Sequence, residues 1–324
     1  MIAYTADQLR SFNRDDGLPS RKIRKAIFSL SLWRPKRFRP AECKHFSGVR
    51  FGLLNVQSVT ERSVAVSDVI VSRRLDVFAL TETWHQSSDD LPLKRCAPPG
   101  YSIVAAARCE TQPSKSSTRV GGVALIHSNR FTATRVVFSI NPTTFEVLSC
   151  SLKSASTSVV YVVIYRSGSE PVSDHFFEEL TALLEIVATY RCQVIVAGDF
   201  NIHVNDPADQ HTVRLSKLLA SLDPQQSVKQ PTHGDVKHGN TLNLVITRFD
   251  GLPSCCTVDP PNIVSDHGLV VCQFPTIPFA VQWMEHIGRP WRKINLEAFS
   301  RDLRSSALCV SSDELRQMTS TTGH

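Results

Sequence analysis

The chain has 324 residues, of which 42% are hydrophobic and 20% are charged, and its formal net charge is +6. That length and apolar content allow one large domain or two small ones with a substantial core. No apolar segment follows Met1 and no run approaches the length of a membrane span, which argues against a secreted or membrane-embedded protein. Nine scattered cysteines without a Cys-x-x-Cys pair indicate reduced intracellular thiols, and zinc is not expected because the His and Cys residues lack ligand spacing.

The basic residues are concentrated at the start of the chain. Residues 1–50 hold 12 Lys and Arg against 4 Asp and Glu, whereas the rest of the chain carries a net charge of −2. Two clusters, at 21–25 and 34–39, suit contact with nucleic acid phosphates or a nuclear address signal. A disordered, solvated leader is an equally good interpretation. We therefore expect residues 1–48 to be a basic leader and the protein to be intracellular, in the nucleus.

From residue 50 onwards, short apolar runs alternate with polar turns, which predicts many strands and few helices. The predicted strands cover 51–55, 77–82, 101–107, 121–126, 131–140, 145–152, 159–165, 194–197, 241–247 and 269–272. The predicted helices cover 63–74, with Val64, Val66, Ile70 and Val71 inward, 173–190 and 213–222. So many strands between few helices favour antiparallel pairing. We therefore predict an α+β (α/β sandwich) fold of two packed, mainly antiparallel β-sheets flanked by helices.

Polar side chains follow the apolar run at 194–197. Gly198 ends this run, and Asp199 and Asn201 come next with the same parity, so an extended backbone directs both to one side of the strand end. A carboxylate can take a proton from water, and an amide N–H can donate to a developing oxyanion, which suits a phosphate site. The alternative is that both are ordinary turn-forming residues.

Other predicted strands also end in polar residues. These are Asn55, Glu82, Tyr165 with Arg166, and Asp266 with His267 immediately before the run at 269–272. Mg²⁺ prefers hard oxygen ligands and takes only one or two protein carboxylates, so Glu82 is the best single candidate for a metal ligand. The alternative for Glu82 is a solvated acid at a strand end.

In this order, the strand-end phrases resemble the endonuclease/exonuclease/phosphatase superfamily, which includes DNase I-like nucleases, abasic-site endonucleases and inositol polyphosphate phosphatases. Over residues 49–274 they are most similar to the abasic-endonuclease-like endonuclease domain of non-LTR (LINE-type) retrotransposons. The phrases are LNVQS at 54–58, TETW at 81–84, YR at 165–166, GDFN at 198–201, TLNLVIT at 241–247 and SDH at 265–267. The resemblance implies a DNase I-like fold, with residues 275–324 as a linker or tail that would precede a reverse transcriptase and is truncated here.

The resemblance also implies a role for each of these residues in Mg²⁺-dependent cleavage of a DNA phosphodiester, with Mn²⁺ as the alternative ion and no organic cofactor. Glu82 would hold the metal, with Asn55 and Asp266 near it. Asp199 would activate the water, Asn201 and His267 would stabilise the transition state, and Tyr165 would position the phosphate. Arg166 would add positive charge, and the loop at 230–240, with Thr232 and His233, would line the DNA groove.

The sequence departs from the superfamily at one position. Members usually carry an aspartate where this chain has Asn243, and that carboxylate supports the charged form and the orientation of His267. An amide oxygen still accepts a hydrogen bond but brings no charge. Amide substitution in a carboxylate–His pair costs on the order of 10⁴ in rate in the serine-protease case. We therefore expect Asn243 to weaken activity.

Three functions remain open from the sequence. The leading hypothesis is a Mg²⁺-dependent endonuclease of a non-LTR retrotransposon that nicks one strand of its target DNA. The rival is a catalytically impaired nucleic-acid-binding remnant, favoured by Asn243 and by the lack of a polymerase domain. A phosphoinositide or sphingolipid phosphoesterase ranks third, because the phrases match retroelement endonucleases and no membrane-binding stretch is evident. DNA is therefore the expected partner, and a membrane is not.

Overall fold

Two six-stranded β-sheets form the frame of the computed structural model, which describes residues 48–112, 120–155, 157–235, 238–275 and 295–304. In chain order the strands are β1 (Gly48–Asn55), β2 (Val77–Thr81), β3 (Tyr101–Ala106), β4 (Val123–Ser128), β5 (Thr132–Arg135), β6 (Glu146–Lys153), β7 (Ser158–Tyr165), β8 (Gln193–Asp199), β9 (Pro224–Gln226), β10 (Asn243–Arg248), β11 (Cys255–Val258) and β12 (Val270–Pro275). The predicted leader, except for Gly48, and most of the predicted tail lie outside the described residues.

The strand order is β11-β12-β1-β2-β4-β3 in one sheet and β5-β6-β7-β8-β10-β9 in the other. One pair in each sheet is parallel, β1 with β2 and β7 with β8, and the other pairs are antiparallel. The predicted sandwich of two mainly antiparallel sheets is therefore confirmed.

The described residues form six helices, and those that stand between strands in sequence connect them. They are α1 (Ser63–Arg73), α2 (Leu91–Arg95), α3 (Arg108–Thr111), α4 (Asp174–Ala188), α5 (Gln210–Leu222) and α6 (Leu296–Arg304), with a 3-10 turn at Phe249–Gly251. Helix α6 belongs to a separate compact unit that begins at Phe279. None of the helices in the described part of the chain has the length and apolar character needed to cross a bilayer.

Alternating side chains of the central strands build three layers of apolar core, one between the sheets and one on the outer face of each sheet. Phe51 and Leu53 of β1 pack with Tyr161 of β7 and Ile195 of β8 between the sheets. Leu54, next in sequence, faces the opposite way and packs in the layer that contains helix α1. Because both faces of these strands are covered, their sequences read as continuous apolar runs.

Two sequence predictions of local structure are wrong. In α1, Val66 and Ile70 are buried, but Val64 is 67% exposed and Val71 is 62% exposed, because the buried stripe of this helix is narrower than predicted. The predicted strand at 131–140 is paired only over Thr132–Arg135, where it lies beside the end of β6 at the edge of its sheet. Beyond that edge segment, apolar residues pack against the core without strand geometry.

Candidate active site

The predicted site residues converge because of the strand directions. The carboxyl ends of the parallel strands β1 and β2 lie at the same edge as the carboxyl ends of β7 and β8, since the two sheets contact each other there. The antiparallel strand β10 begins at that edge, where Asn243 pairs with Asp199. Strand β12 also begins there, immediately after the segment that carries Asp266 and His267. Four strand ends and two strand beginnings therefore meet at one edge.

Asn55 connects the two sheets at this edge. Its Nδ2 donates to Glu82 Oε1 at 2.8 Å and to Asp199 Oδ2 at 2.7 Å, and its Oδ1 accepts from the backbone N–H of Gln57 at 3.2 Å. Asn55 and Asp199 are fully buried. The neutral amide therefore holds two carboxylates together that would otherwise repel each other. In this orientation Asn55 Nδ2 bridges the two carboxylates, and its Oδ1 points toward the backbone at Gln57.

Asp199 is the last residue of β8, and Asn201 lies in the tight turn that follows. Asp199 Oδ1 accepts from the backbone N–H of Asn201 at 3.1 Å, and Asn201 has a left-handed φ of 49°. Asn201 Nδ2 donates to Arg166 O at 2.8 Å, which engages one of its two N–H groups. The left-handed turn, and not the extended backbone that the parity argument assumed, therefore ties the Asp199 carboxylate to the backbone of Asn201 and the Asn201 amide to Arg166.

His267 lies between Asn243 and Asp199. Its Nδ1 is 2.7 Å from Asn243 Oδ1, and its Nε2 is 3.9 Å from Asp199 Oδ2. The amide oxygen is an acceptor, so the Nδ1 of His267 carries the hydrogen and the Nε2 faces the site. The predicted contact between residue 243 and His267 is therefore present.

Asp266 forms the outer wall of the site. Its Oδ2 accepts from Gln57 Nε2 at 2.8 Å and lies 3.5 Å from His233 Nε2. Its Oδ1 is buried and has no hydrogen-bond partner among the described residues. A buried carboxylate oxygen without a donor needs a partner, and a bound cation can supply one.

Tyr165 is buried beneath the carboxylates. Burial raises the pKa of its phenol far above the ordinary value, and the negative charges of Glu82 and Asp199 and a hydrogen bond with Glu82 raise this pKa further. Tyr165 is therefore a neutral hydrogen-bond donor at the base of the site. The Arg108 guanidinium lies 5.7 Å from the centre of its ring.

Arg108 and Glu146 form a buried ion pair that sequence reasoning missed. Arg108 Nε donates to Glu146 Oε1 at 2.8 Å, and the backbone N–H of Gly122 donates to Glu146 Oε2 at 2.7 Å. Burial raises the pKa of Glu146, and the charge of Arg108 opposes that shift. Glu146 pairs with Tyr165 across β6 and β7, so this pair supports the floor of the site. Gln57 was missed as well, although it stands within the LNVQS phrase.

The predicted nucleic-acid contact of Arg166 is corrected by its buried position. Its guanidinium donates to the backbone carbonyls of Phe200, Ser167, Glu170 and Asn201, and burial lowers its pKa. Only 3% of the residue is exposed. Arg166 therefore holds together the two loops that follow β7 and β8 and does not face a ligand.

Thr232 is also an internal support, which corrects its predicted place in a DNA-binding groove. Its side chain is fully buried, and its Oγ1 accepts from the backbone N–H groups of Leu242 and Asn243. The neighbouring His233 is more than one-third exposed and lies at the mouth of the site. A nucleic-acid contact by His233 therefore stays a prediction.

The residues present fit a hard divalent cation. Glu82, Asp199 and Asp266 bring three carboxylates to one edge, and the Oδ1 of Asp266 lacks a donor within the described structure. Oxygen donors of this kind are the ligands that Mg²⁺ takes.

The fold and this edge of polar residues define a DNase I-like, two-sheet protein. The structure is similar to the endonuclease domain of TRAS1, a telomere-specific non-LTR retrotransposon, with a TM-score of 0.55 and 14% identity over 71% of this chain and 99% of that one. It is also similar to the AP endonuclease LMAP from Leishmania major, with a TM-score of 0.55 and 14% identity over 84% and 99% of the two chains. A third similar structure is the Neisseria 3′ phosphatase NExo, with a TM-score of 0.53 and 15% identity over 70% and 99%.

The sequence itself matches the endonuclease/exonuclease/phosphatase family over residues 52–268. The chain therefore belongs to this family, as its strand-end phrases predict. No curated protein gives a significant sequence match.

Proposed function

We propose that this chain is a divalent-metal-dependent endonuclease that nicks DNA, of the kind encoded by non-LTR retrotransposons. The observation that carries the proposal is the bridge of Asn55 between Glu82 and Asp199, with His267 Nε2 at 3.9 Å from the same Asp199 oxygen that Asn55 contacts. Two carboxylates and an imidazole at one strand edge are suited to hydrolysis of a phosphodiester. The TRAS1 neighbour and the retroelement-like phrases favour DNA over a lipid as the substrate.

Each side chain has a task that its geometry supports. Asp199 orients the attacking water and takes its proton, because its carboxylate is fixed by Asn55 and by the backbone of Asn201. His267 and Asn201, which lie near Asp199, stabilise the negative charge that develops on the phosphate. Tyr165, held neutral, shares its single O–H with Glu82 in the structure and would position the phosphate when DNA binds.

Glu82 and Asp266 would hold the metal ion, with Mg²⁺ preferred and Mn²⁺ as the alternative. When bound, such an ion polarises a phosphoryl oxygen and neutralises charge on the leaving group. Asn55 would stand beside the ion and keep Glu82 in position. The basic leader would add phosphate contacts, and we propose a nuclear location to match a DNA substrate.

A plasmid-nicking assay with Glu82→Gln tests this function. Supercoiled DNA should be nicked in Mg²⁺ and left intact with a chelator, and Glu82→Gln should reduce nicking at least about 100-fold, because a neutral amide is a poor ligand for a hard cation. Thermal stability should change little, since Gln keeps an oxygen that can accept from Asn55. Glu185→Gln, on the exposed face of α4, is the matched control and should keep full activity. Equal nicking by both variants at limiting Mg²⁺ would contradict the role of Glu82.

A catalytically impaired nucleic-acid-binding protein is the second candidate, because His267 has an amide partner in place of a carboxylate. It predicts DNA binding without nicking in Mg²⁺ or Mn²⁺. Binding measured by fluorescence anisotropy beside the nicking assay separates the two candidates.

A further inference from the structure

His233, Asp266 and His267 form a cluster at the mouth of the site, and the proposed hydrolysis uses Asp266 and His267 but gives no role to His233. Each offers one ligand atom, and these atoms lie within 4.8 Å of one another. The two imidazole rings are 4.8 Å apart between centroids, and His233 Nε2 is 3.5 Å from Asp266 Oδ2. The backbones explain this proximity, because His233 and His267 face each other in an antiparallel bridge.

The hydrogen bond with Asn243 prepares His267 as a metal ligand. Since the Oδ1 of Asn243 accepts from the Nδ1–H, the neutral ring presents the lone pair of its Nε2 to the site. A ring nitrogen fixed by such an outer acceptor is the usual arrangement of histidine at metal centres.

Asp266 supplies the oxygen ligand. Gln57 holds one of its carboxylate oxygens, and the other is buried without a partner among the described residues. His233 is the ligand that can change its position, because its side chain is 37% exposed whereas that of His267 is only 6% exposed. A tetrahedral ion with ligand distances of about 2.0–2.1 Å places its ligand atoms about 3.4 Å apart. His233 Nε2 and Asp266 Oδ2, at 3.5 Å, are already at that spacing, and the other separations between the ligand atoms, which are at most 4.8 Å, would have to shorten when an ion binds.

We propose that His233, Asp266 and His267 bind a divalent transition-metal ion of the Zn²⁺ type, at a position that shares Asp266 with the hard-cation site but does not use Glu82. Imidazole nitrogens select Zn²⁺ or Co²⁺ over Mg²⁺, which prefers an all-oxygen shell. The site uses three protein ligands and keeps a further coordination position open. If the proposed nicking activity holds, an ion here engages the Nε2 of His267 and withdraws it from the phosphate, so Zn²⁺ opposes Mg²⁺-dependent nicking.

Co²⁺ titration of the full, untagged chain tests the proposal without DNA. The visible absorption of bound Co²⁺ should saturate at one ion per chain, and excess Mg²⁺ should not displace it. The thiols are alkylated beforehand, because Cys109 and Cys255 are exposed and thiolates also bind Co²⁺. The absence of sulfur-to-cobalt charge transfer then shows that cysteine is not a ligand.

His233→Gln should weaken Co²⁺ binding at least about tenfold, the lower end of what loss of even an outer-shell partner costs. His238→Gln is the matched control, since His238 lies in the same loop and its side chain is 86% exposed. Asp266→Asn removes a second proposed ligand, which lies on a different segment, and so provides an independent test. Unchanged affinity in both His233→Gln and Asp266→Asn, or equal loss in His238→Gln, would overturn the proposal. These outcomes do not depend on nicking, so a failure here is distinct from a failure of the proposed nuclease function.

Discussion

Asn243 Oδ1 and His267 Nδ1 are 2.7 Å apart, and this hydrogen bond joins the first residue of β10 to the segment that leads into β12. Asn243 is fully buried and His267 is 6% exposed. The bond therefore sets which nitrogen of His267 carries the hydrogen. The partner is a neutral amide and not the aspartate that the resemblance implies at this position. Replacing Asn243 tests this difference directly.

Restoring a carboxylate at this position should increase nicking. Asn243→Asp is nearly isosteric, and the change breaks no hydrogen bond from Nδ2, because that atom has no partner among the described residues. The new carboxylate favours a charged His267 beside the phosphate, so we expect Mg²⁺-dependent nicking to rise at least about tenfold. The measurement is the initial rate on supercoiled plasmid.

The gain should depend on the imidazole. In a His267→Ala background, Asn243→Asp should give no increase, because the carboxylate has no ring to act on. Asn129→Asp adds the same charge on an exposed residue elsewhere in the structure and should leave the rate unchanged. Equal stimulation with and without His267 would show that the two residues do not act together.

Gly198 should be essential for the fold. A Cβ at this position would lie 1.8 Å from Ile164 O, a backbone atom of the parallel strand β7 that cannot move aside alone. We expect Gly198→Ala to lower the free energy of unfolding by at least about 3 kcal/mol, the upper end of ordinary overpacking. Gly251→Ala is the control, because its Cβ would meet the flexible side chain of Gln193 at 3.2 Å. Urea denaturation of both variants measures the difference, and similar midpoints would contradict the prediction.

His85 should make the protein less stable below neutral pH. Burial lowers the pKa of His85 below its ordinary value of 6.5, with the charges of Asp90 and Glu110 opposing the shift. As pH falls through 6.5, the unfolded chain takes up a proton that folded His85 resists, so stability is present above 6.5 and is lost below it.

His85→Asn should reduce this loss of stability below pH 6.5. Asn places a polar atom near the position of Nδ1, which lies 2.6 Å from Thr83 Oγ1 in the structure. The free energies of unfolding of parent and variant should be compared between about pH 7.5 and about pH 5.5. We expect the free energy of unfolding to fall more steeply for the parent than for the variant as the pH is lowered across this range. Parallel curves would show that His85 does not resist protonation.

The basic leader should contribute to the salt dependence of DNA binding. Replacing Arg21, Lys22, Arg24 and Lys25 with Gln keeps the chain length and removes four positive charges. The slope of log affinity against log salt should then become shallower by about 0.9 for each DNA phosphate that the segment no longer neutralises. An unchanged slope would mean that this segment does not bind DNA phosphates.

The sequence by itself was sufficient to predict the sandwich of mainly antiparallel sheets and the family. Both predictions rest on local properties of the chain, namely apolar runs separated by polar turns and the phrases at the strand ends. It also predicted the pairing of residue 243 with His267. The tertiary structure alone decided what surrounds each polar group. Arg166 and Thr232 are internal supports, and Asn55 donates to carboxylates from both sheets. A hydrogen-bonding group engages whichever partners the fold brings within about 3 Å, and many of those partners are distant in sequence.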